Sequence, residues 1–278
     1  MRNSLRASKP VRYVLLSLGA VAFLFPFYYM VVGSLRTTTV GDLSAAVPSG
    51  LTGANYSAIN GAISVGRSLL NSGIMTIGVL VCTLVFGVLA GYGLAVLRFR
   101  GKGAVFGALL LVQMIPFQLL TLPLYVLVVR DYGLGDNYLG MILPFAINST
   151  AVFLFRQFFL QMPASLFEAA RIDGASELRI LWRIALPMAR PAVLTALLLT
   201  FIGPWNEFLW PFLVTKNADM QPLAVSLASF LSNMQGTVAN PAGALLAGAV
   251  VLAVPAVVLF LLFQRHFTST DIDSATKG

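Results

Sequence analysis

The sequence predicts an all-α polytopic membrane protein with six transmembrane helices and both termini in the cytoplasm. Three observations carry that expectation. Of 278 residues, 58% are apolar and only 10% are charged, whereas a soluble domain carries about 25% charged residues. The apolar residues fall in six long runs, each long enough to supply the ~20 residues that a spanning helix needs. The Lys and Arg residues flank those runs mostly on one side, which sets orientation in a bilayer.

The same composition excludes other classes. No soluble fold of this size could cover so much apolar surface with so few polar residues. Disordered and collagen-like chains are equally incompatible. The net charge of +8 does not point to nucleic acid, because the basic residues lie between apolar runs rather than in one patch. The single cysteine, Cys82, excludes a disulfide framework or a thiolate metal cluster. A single histidine, His266, excludes multi-His metal sites. It stands beside Arg265 at the end of the last run and reads as a surface residue near the headgroups.

The runs are approximately 13–34, 69–97, 104–129, 138–155, 192–214 and 243–264. They are continuous rather than alternating, so helices are expected, each satisfying its own backbone. The first run follows a basic segment, as a signal peptide would, but it is too long and no A-x-A site follows it. In the second run Gly87 and Gly91 allow close helix approach, as do Gly103 and Gly107 at the third. Pro116, Pro123, Pro144, Pro204, Pro211 and Pro255 should kink their helices locally. Arg156, closing the fourth run, is expected to snorkel. Along the chain this gives an N-terminal tail, first span and external segment over 1–68. A five-helix core over 69–264 carries a cytoplasmic loop at 161–191, and a cytoplasmic tail covers 265–278.

On one side stand Arg2, Arg6, Lys9, Arg12, Arg98, Arg100, Lys102, Arg156, Arg171, Arg179, Arg183, Arg190, Arg265 and Lys277. On the other stand only Arg36, Arg67, Arg130 and Lys216. That bias places both termini inside, and an even number of spans agrees with it.

The loop Gln161–Ala192 stands apart, because Glu168, Arg171, Asp173, Glu177, Arg179, Arg183 and Arg190 cluster within it. Its pattern predicts two short helices. Pro163 and Ser165 are start signals, Gly174 is a left-handed stop, and Ser176 can cap the second helix. In the first helix Leu166, Ala169, Ala170 and Asp173 share one side, with Glu168 and Arg171 on another. In the second, Leu178, Leu181, Ala185 and Met188 keep a helical period that Pro187 interrupts. Such an element makes a stiff knob, and the small pair Ala169–Ala170 admits another surface. An interfacial amphipathic hairpin lying on the headgroups is the other reading open to these residues.

The string EAARIDGA, Glu168 to Ala175, with Leu186–Pro187 further on, resembles the EAA motif of permease subunits in binding-protein-dependent ABC importers. FIGPWNEFLWPFLVT, Phe201 to Thr215, resembles the fifth-span signature of the carbohydrate-uptake class. That class includes the smaller permease of maltose importers and relatives for glycerol-3-phosphate. MVVGSLRTTTV near the first span and TLPLYVLVVRDYGLGDNYLGMILPF between the third and fourth add to the resemblance, which covers nearly the whole chain. It implies a type I importer permease fold and a role in moving a sugar, sugar phosphate or related solute across a bacterial inner membrane.

The resemblance also implies partners. Glu168 would meet basic residues of a cytoplasmic ATPase, Ala169 and Ala170 would pack on its surface, and Gly174 would make the turn. Arg171, Asp173, Ala175, Leu186 and Pro187 complete the motif. No Walker A pattern or Gly-rich phosphate loop occurs in the chain, so this chain binds no cofactor and ATP-Mg belongs to the partner. Two ATP-binding subunits, a second permease forming a heterodimer and an extracytoplasmic solute-binding protein are implied, together with membrane lipid.

Glu207 is the lone acid within a run. A charge at the bilayer centre costs about 2.5–3.5 kcal/mol, so it should face the bundle interior or water. It reads either as a solute or gate contact or as an interhelical partner, and its neighbours Trp205 and Asn206 fit both. Gln113, Gln118, Asn148 and Ser149 could line a polar path, since amides offer donor and acceptor together, or could join helices. A secondary transporter or channel acting without an ATPase is the alternative. It would usually show more ionisable groups at mid-membrane and inverted repeats, and a membrane-embedded enzyme would need a His, Asp or Glu cluster.

Overall fold

The computed structural model describes residues 9–37, 50–232 and 238–275, with side chains placed over 10–37, 50–232 and 238–264. Arg2, Arg6 and Lys277, and the side chains of Lys9, Arg265 and His266, lie outside these limits. Fourteen α-helices occur among the described residues. They are α1 Lys9–Ser34, α2 Ala54–Ile63, α3 Val65–Ala95, α4 Lys102–Gln113, α5 Phe117–Tyr125, α6 Tyr138–Ile142, α7 Ser149–Leu160 and α8 Ala164–Ile172. There follow α9 Glu177–Ile180, α10 Leu186–Met188, α11 Arg190–Asn206, α12 Leu209–Val214, α13 Leu223–Ser232 and α14 Pro241–Ala275. The fold is all-α, as the sequence predicts.

Three helices are long and apolar enough to cross a membrane alone: Pro10–Ser34, Val65–Ala95 and Pro241–Gln264. Three bent pairs raise the number to six if each is one span. Lys102–Gln113 meets Phe117–Asp131 at 92°, Tyr138–Phe145 meets Ser149–Leu160 at 49°, and Glu177–Met188 meets Arg190–Asn206 at 77°. The runs 104–129 and 138–155 are therefore broken rather than locally kinked, whereas the third bend falls at Ala189, before the run 192–214, and that run is itself interrupted between Asn206 and Leu209.

Proline chemistry explains the breaks. Pro116 stands before α5 with ψ 130°; it has no N–H to give the preceding turn, and its ring excludes continued helix. Pro144 lies in the 3₁₀ turn Leu143–Phe145 that ends α6. Pro204 sits near the end of α11, which stops at Asn206 before α12 begins. At Pro187 the helix widens into a π-helical turn, Leu181–Ala185, where Leu186 N–H reaches back to the Leu181 carbonyl. The wider turn relieves the proline ring.

The chain forms two compact units. One holds 1–66 and 227–278, the other 67–226, so packing groups the first and last helices that chain order separates. In the first unit α1 and α2 both lie on α14. Buried Asn55 donates to the carbonyls of Ser34 and Arg36 at 2.9 and 2.8 Å, and Asn240 donates to the Arg36 carbonyl at 3.1 Å. These amides satisfy the open carbonyls where α1 ends.

In the second unit α7 lies in a groove on α3. A Cβ at Gly91 would meet Phe155 Cβ at 2.6 Å, and one at Gly87 would meet Ala151 Cβ at 3.3 Å. Close approach at these two glycines is thus as the sequence predicts. Gly103 and Gly107 do not repeat it, since a Cβ at either has nothing within 4 Å. Here α4 instead uses Phe106, stacked on Phe153 at 6.1 Å. Arg156 does not snorkel freely. Its guanidinium lies 4.0 Å from the centre of the Phe106 ring, and its Nε donates to the Leu94 carbonyl at 3.3 Å. Lys102 Nζ donates to the Ala95 and Leu97 carbonyls. Two cations thereby satisfy the end of α3, where the helix dipole favours positive charge.

Candidate functional site: a helix–glycine–helix knob

The loop folds as two helices joined at Gly174. Its φ of +77° is a conformation that side chains with a Cβ resist. Ala175 N–H bonds to the Ala170 carbonyl and Gly174 N–H to the Arg171 carbonyl, both at 3.0 Å. This pairing is the Schellman stop, which satisfies the last carbonyls of α8. Ser176 then caps α9, its hydroxyl accepting from Arg179 N–H at 3.4 Å. The start at Pro163, the stop at Gly174 and the cap at Ser176 all stand where the sequence places them.

The buried faces differ from the expected ones. On α8 the inward pair is Phe167 and Ala170, 4% and 8% exposed. Ala170 thus faces the chain's own core while Ala169 is exposed. Phe167 is the larger apolar group and takes the core position, and Ala170 follows it by one turn. After Ser176 the buried stripe is Ile180, Leu181, Ala185 and Ala189, whereas Leu178 and Met188 point out. Outward on the knob stand Glu168, Ala169, Ile172, Asp173 and Gly174. Ile172 is 85% exposed, and the sequence reading did not single it out. Its signal was an isoleucine between Arg171 and Asp173, an apolar side chain on a face that water alone would make polar.

Glu168 keeps 59% of its side chain exposed and has Arg98 at 4.0 Å, a loose surface pair. Arg171 is turned inward along the loop. Its Nε and one terminal nitrogen donate to the two Glu177 oxygens at 2.7 and 3.4 Å, the fork geometry that suits guanidinium and carboxylate. This hydrogen-bonded guanidinium holds the Glu177 carboxyl below the usual range. Tyr92 on α3 donates its hydroxyl to the same carboxylate at 2.7 Å. Ala175 and Leu186 are half-buried against the cluster that holds Phe155, Phe159 and Ile180, and Pro187 is exposed.

The polar residues of the spans divide. Asn148 and Glu207 both line a cavity of about 280 Å³, together with Thr200 and Pro204. Asn148 also caps α7, its side-chain oxygen accepting from Ala151 N–H. Glu207 accepts from Trp210 N–H at 3.2 Å. Gln113 donates to the Thr150 hydroxyl at 2.8 Å, and Thr150 lines a neighbouring cavity of about 100 Å³ with Asn148 and Thr200. Gln118 and Asn206 are exposed, and Asn206 donates to the Ile202 carbonyl. Ser149 opens α7. Trp205 is buried and stacks on Phe201. Neither Ser149 nor Trp205 lines these two cavities. Thr200, shared by both, was missed; it is one of two threonines in the apolar text of α11, and nothing local marks it apart from Thr195.

Long apolar helices, three bent helix pairs and an exposed helix–glycine–helix knob are the features of a polytopic membrane protein. Residues 83–269 match the family of binding-protein-dependent transport system inner membrane components, and the chain belongs to that family. It is 35% identical to the arabinooligosaccharide transport permease AraQ of Bacillus subtilis (strain 168) over 264 residues, 93% of this chain and 92% of that one. It is 33% identical to the sn-glycerol-3-phosphate transport permease UgpE of Yersinia pestis bv. Antiqua, covering 94% and 95%. A chain of a bacterial ABC transporter involved in import of the acidic polysaccharide alginate superposes with TM-score 0.82 at 26% identity, covering 96% of this chain and 99% of that one. The protein is thus a multi-pass ABC transporter permease.

Proposed function

We propose that this chain is one permease subunit of an ATP-driven importer that moves a sugar or sugar-derived solute across a bacterial inner membrane by alternating access. The relatives transport arabinooligosaccharides and glycerol-3-phosphate by their names. Both termini and the knob lie on the cytoplasmic side, following the Lys and Arg asymmetry. The knob docks on a separate ATPase subunit, which binds and hydrolyses Mg-ATP. A second permease completes a heterodimer over two ATPase copies, and an extracytoplasmic binding protein delivers the solute.

One observation carries this reading: the outward face of α8 presents Glu168, Ala169, Ile172 and Asp173 on a helix closed by Gly174. A rigid element with an apolar tip and flanking carboxylates fits a protein cleft. It transmits motion because packed elements move between discrete arrangements. The test is uptake by cells that carry the complete transporter. ATP depletion should stop uptake, and tagged chain should co-purify an ATPase. Uptake that survives depletion, with no ATPase recovered, assigns the chain to the transporters that work alone.

A further inference from the structure

We propose that Tyr92 is the positioning residue through which movement of the knob reaches the membrane span α3, by way of its hydrogen bond to Glu177. This rests on the docking role of the knob set out above.

The geometry has two parts with different mechanical character. The first is apolar: the Tyr92 ring meets Phe159 edge-on at 5.7 Å and Phe167 of α8 at 6.2 Å. Apolar packing is non-directional and tolerates sliding. The second part is directional. The Tyr92 hydroxyl donates to Glu177 at 2.7 Å, and Glu177 is gripped from the other side by Arg171. A hydrogen bond to a carboxylate is short, strong and angle-dependent.

The position of each member matters. Arg171 lies in the last turn of α8 and Glu177 in the first turn of α9. Their fork therefore bridges the Gly174 turn and makes the two helices one body. Tyr92 stands near the end of α3, 3% exposed, on a 31-residue helix. A push on α8 is thus passed to α9 by Arg171 and to α3 by Tyr92. Along the same helix Gly87 and Gly91 seat α7, so displacement of α3 carries α7 with it; Asn148, the cap of α7, lines both cavities, and Thr150 in its first turn lines the smaller one.

Tyr92→Phe is the informative variant. It keeps the ring packing and removes only the hydroxyl. In the complete transporter, solute moved per ATP hydrolysed should fall, by about tenfold or more, the weight of one hydrogen bond to a charged group. ATPase co-purification should stay unchanged. Glu177→Ala should uncouple as well, and adding Tyr92→Phe to it should cause no further loss, because both act through one bond. An unaltered solute-to-ATP ratio in Tyr92→Phe overturns the proposal, as do additive losses in the double variant. Loss of ATPase association in Tyr92→Phe also overturns it, since the docking face is untouched. Failure of the docking role itself shows separately, as absence of the ATPase from preparations of the unmodified chain.

Discussion

Trp210 on α12 donates its indole N–H to the carbonyl of Gly140 on α6 at 3.0 Å. Trp210 is fully buried, and Phe117 packs edge-on against it at 6.1 Å. Position 140 has no room for a side chain, because a Cβ there would fall on the Leu134 carbonyl oxygen. The broken pieces α5, α6 and α12 are thus joined around one indole. Trp210→Phe leaves the Gly140 carbonyl without that donor and should cost about 1–3 kcal/mol. The expected result is a clearly lower Tm of the detergent-solubilised protein. An unchanged Tm would show that the bond contributes nothing.

Gly174 separates the steric from the chemical demands on the knob. Its left-handed backbone costs a residue with a Cβ about 1–2 kcal/mol. Asn visits that region more readily than other such residues, and a β-branched residue is the worst suited. Gly174→Asn should therefore retain ATPase binding and most uptake, whereas Gly174→Val should lose both while still inserting in the membrane. Equal behaviour of the two variants in a pull-down and uptake assay would contradict the turn's role.

The glycines on α3 and α4 give a paired expectation from packing. Gly91→Ala places a methyl 2.6 Å from Phe155 Cβ and should push α7 off α3, lowering stability. Gly107→Ala meets nothing within 4 Å. It should be neutral or stabilising by about 0.5–1 kcal/mol, because alanine loses less backbone entropy in a helix. Thermal unfolding of the two variants side by side decides it.

What could be read from sequence followed from local rules. The turn at Gly174 and the cap at Ser176 depend on residues within one helical turn, and both stand as expected. The six apolar runs were legible because bilayer thickness fixes their length. The severity of the breaks at Pro116 and after Pro204 was not, since a proline in an apolar run is compatible with a mild kink or a full stop, and neighbouring helices decide which. The inward turn of Ala170 and the partnership of Tyr92 with Glu177, 85 residues apart, depend on tertiary packing. No local periodicity could pair them. Glu207 and Asn148 were each singled out as polar residues in apolar text, and the bundle brings both to one cavity.

Glu207 is therefore the residue whose substitution discriminates most. Its carboxylate accepts the Trp210 backbone N–H at 3.2 Å, as a cap does at a helix start, and this holds α12 where its indole meets Gly140. Gln keeps an acceptor oxygen at that position and removes the charge; Ala removes both. If capping is the principal task, Glu207→Gln should keep Tm and uptake close to those of the unmodified chain, while Glu207→Ala should lose about 1 kcal/mol, typical for a missing cap. This is the expected outcome, because the capping contact is present without any solute. If instead Glu207→Gln folds normally but its initial uptake rate collapses, the charge itself serves the solute path. The 280 Å³ cavity that Glu207 shares with Asn148 is then where the solute meets this chain.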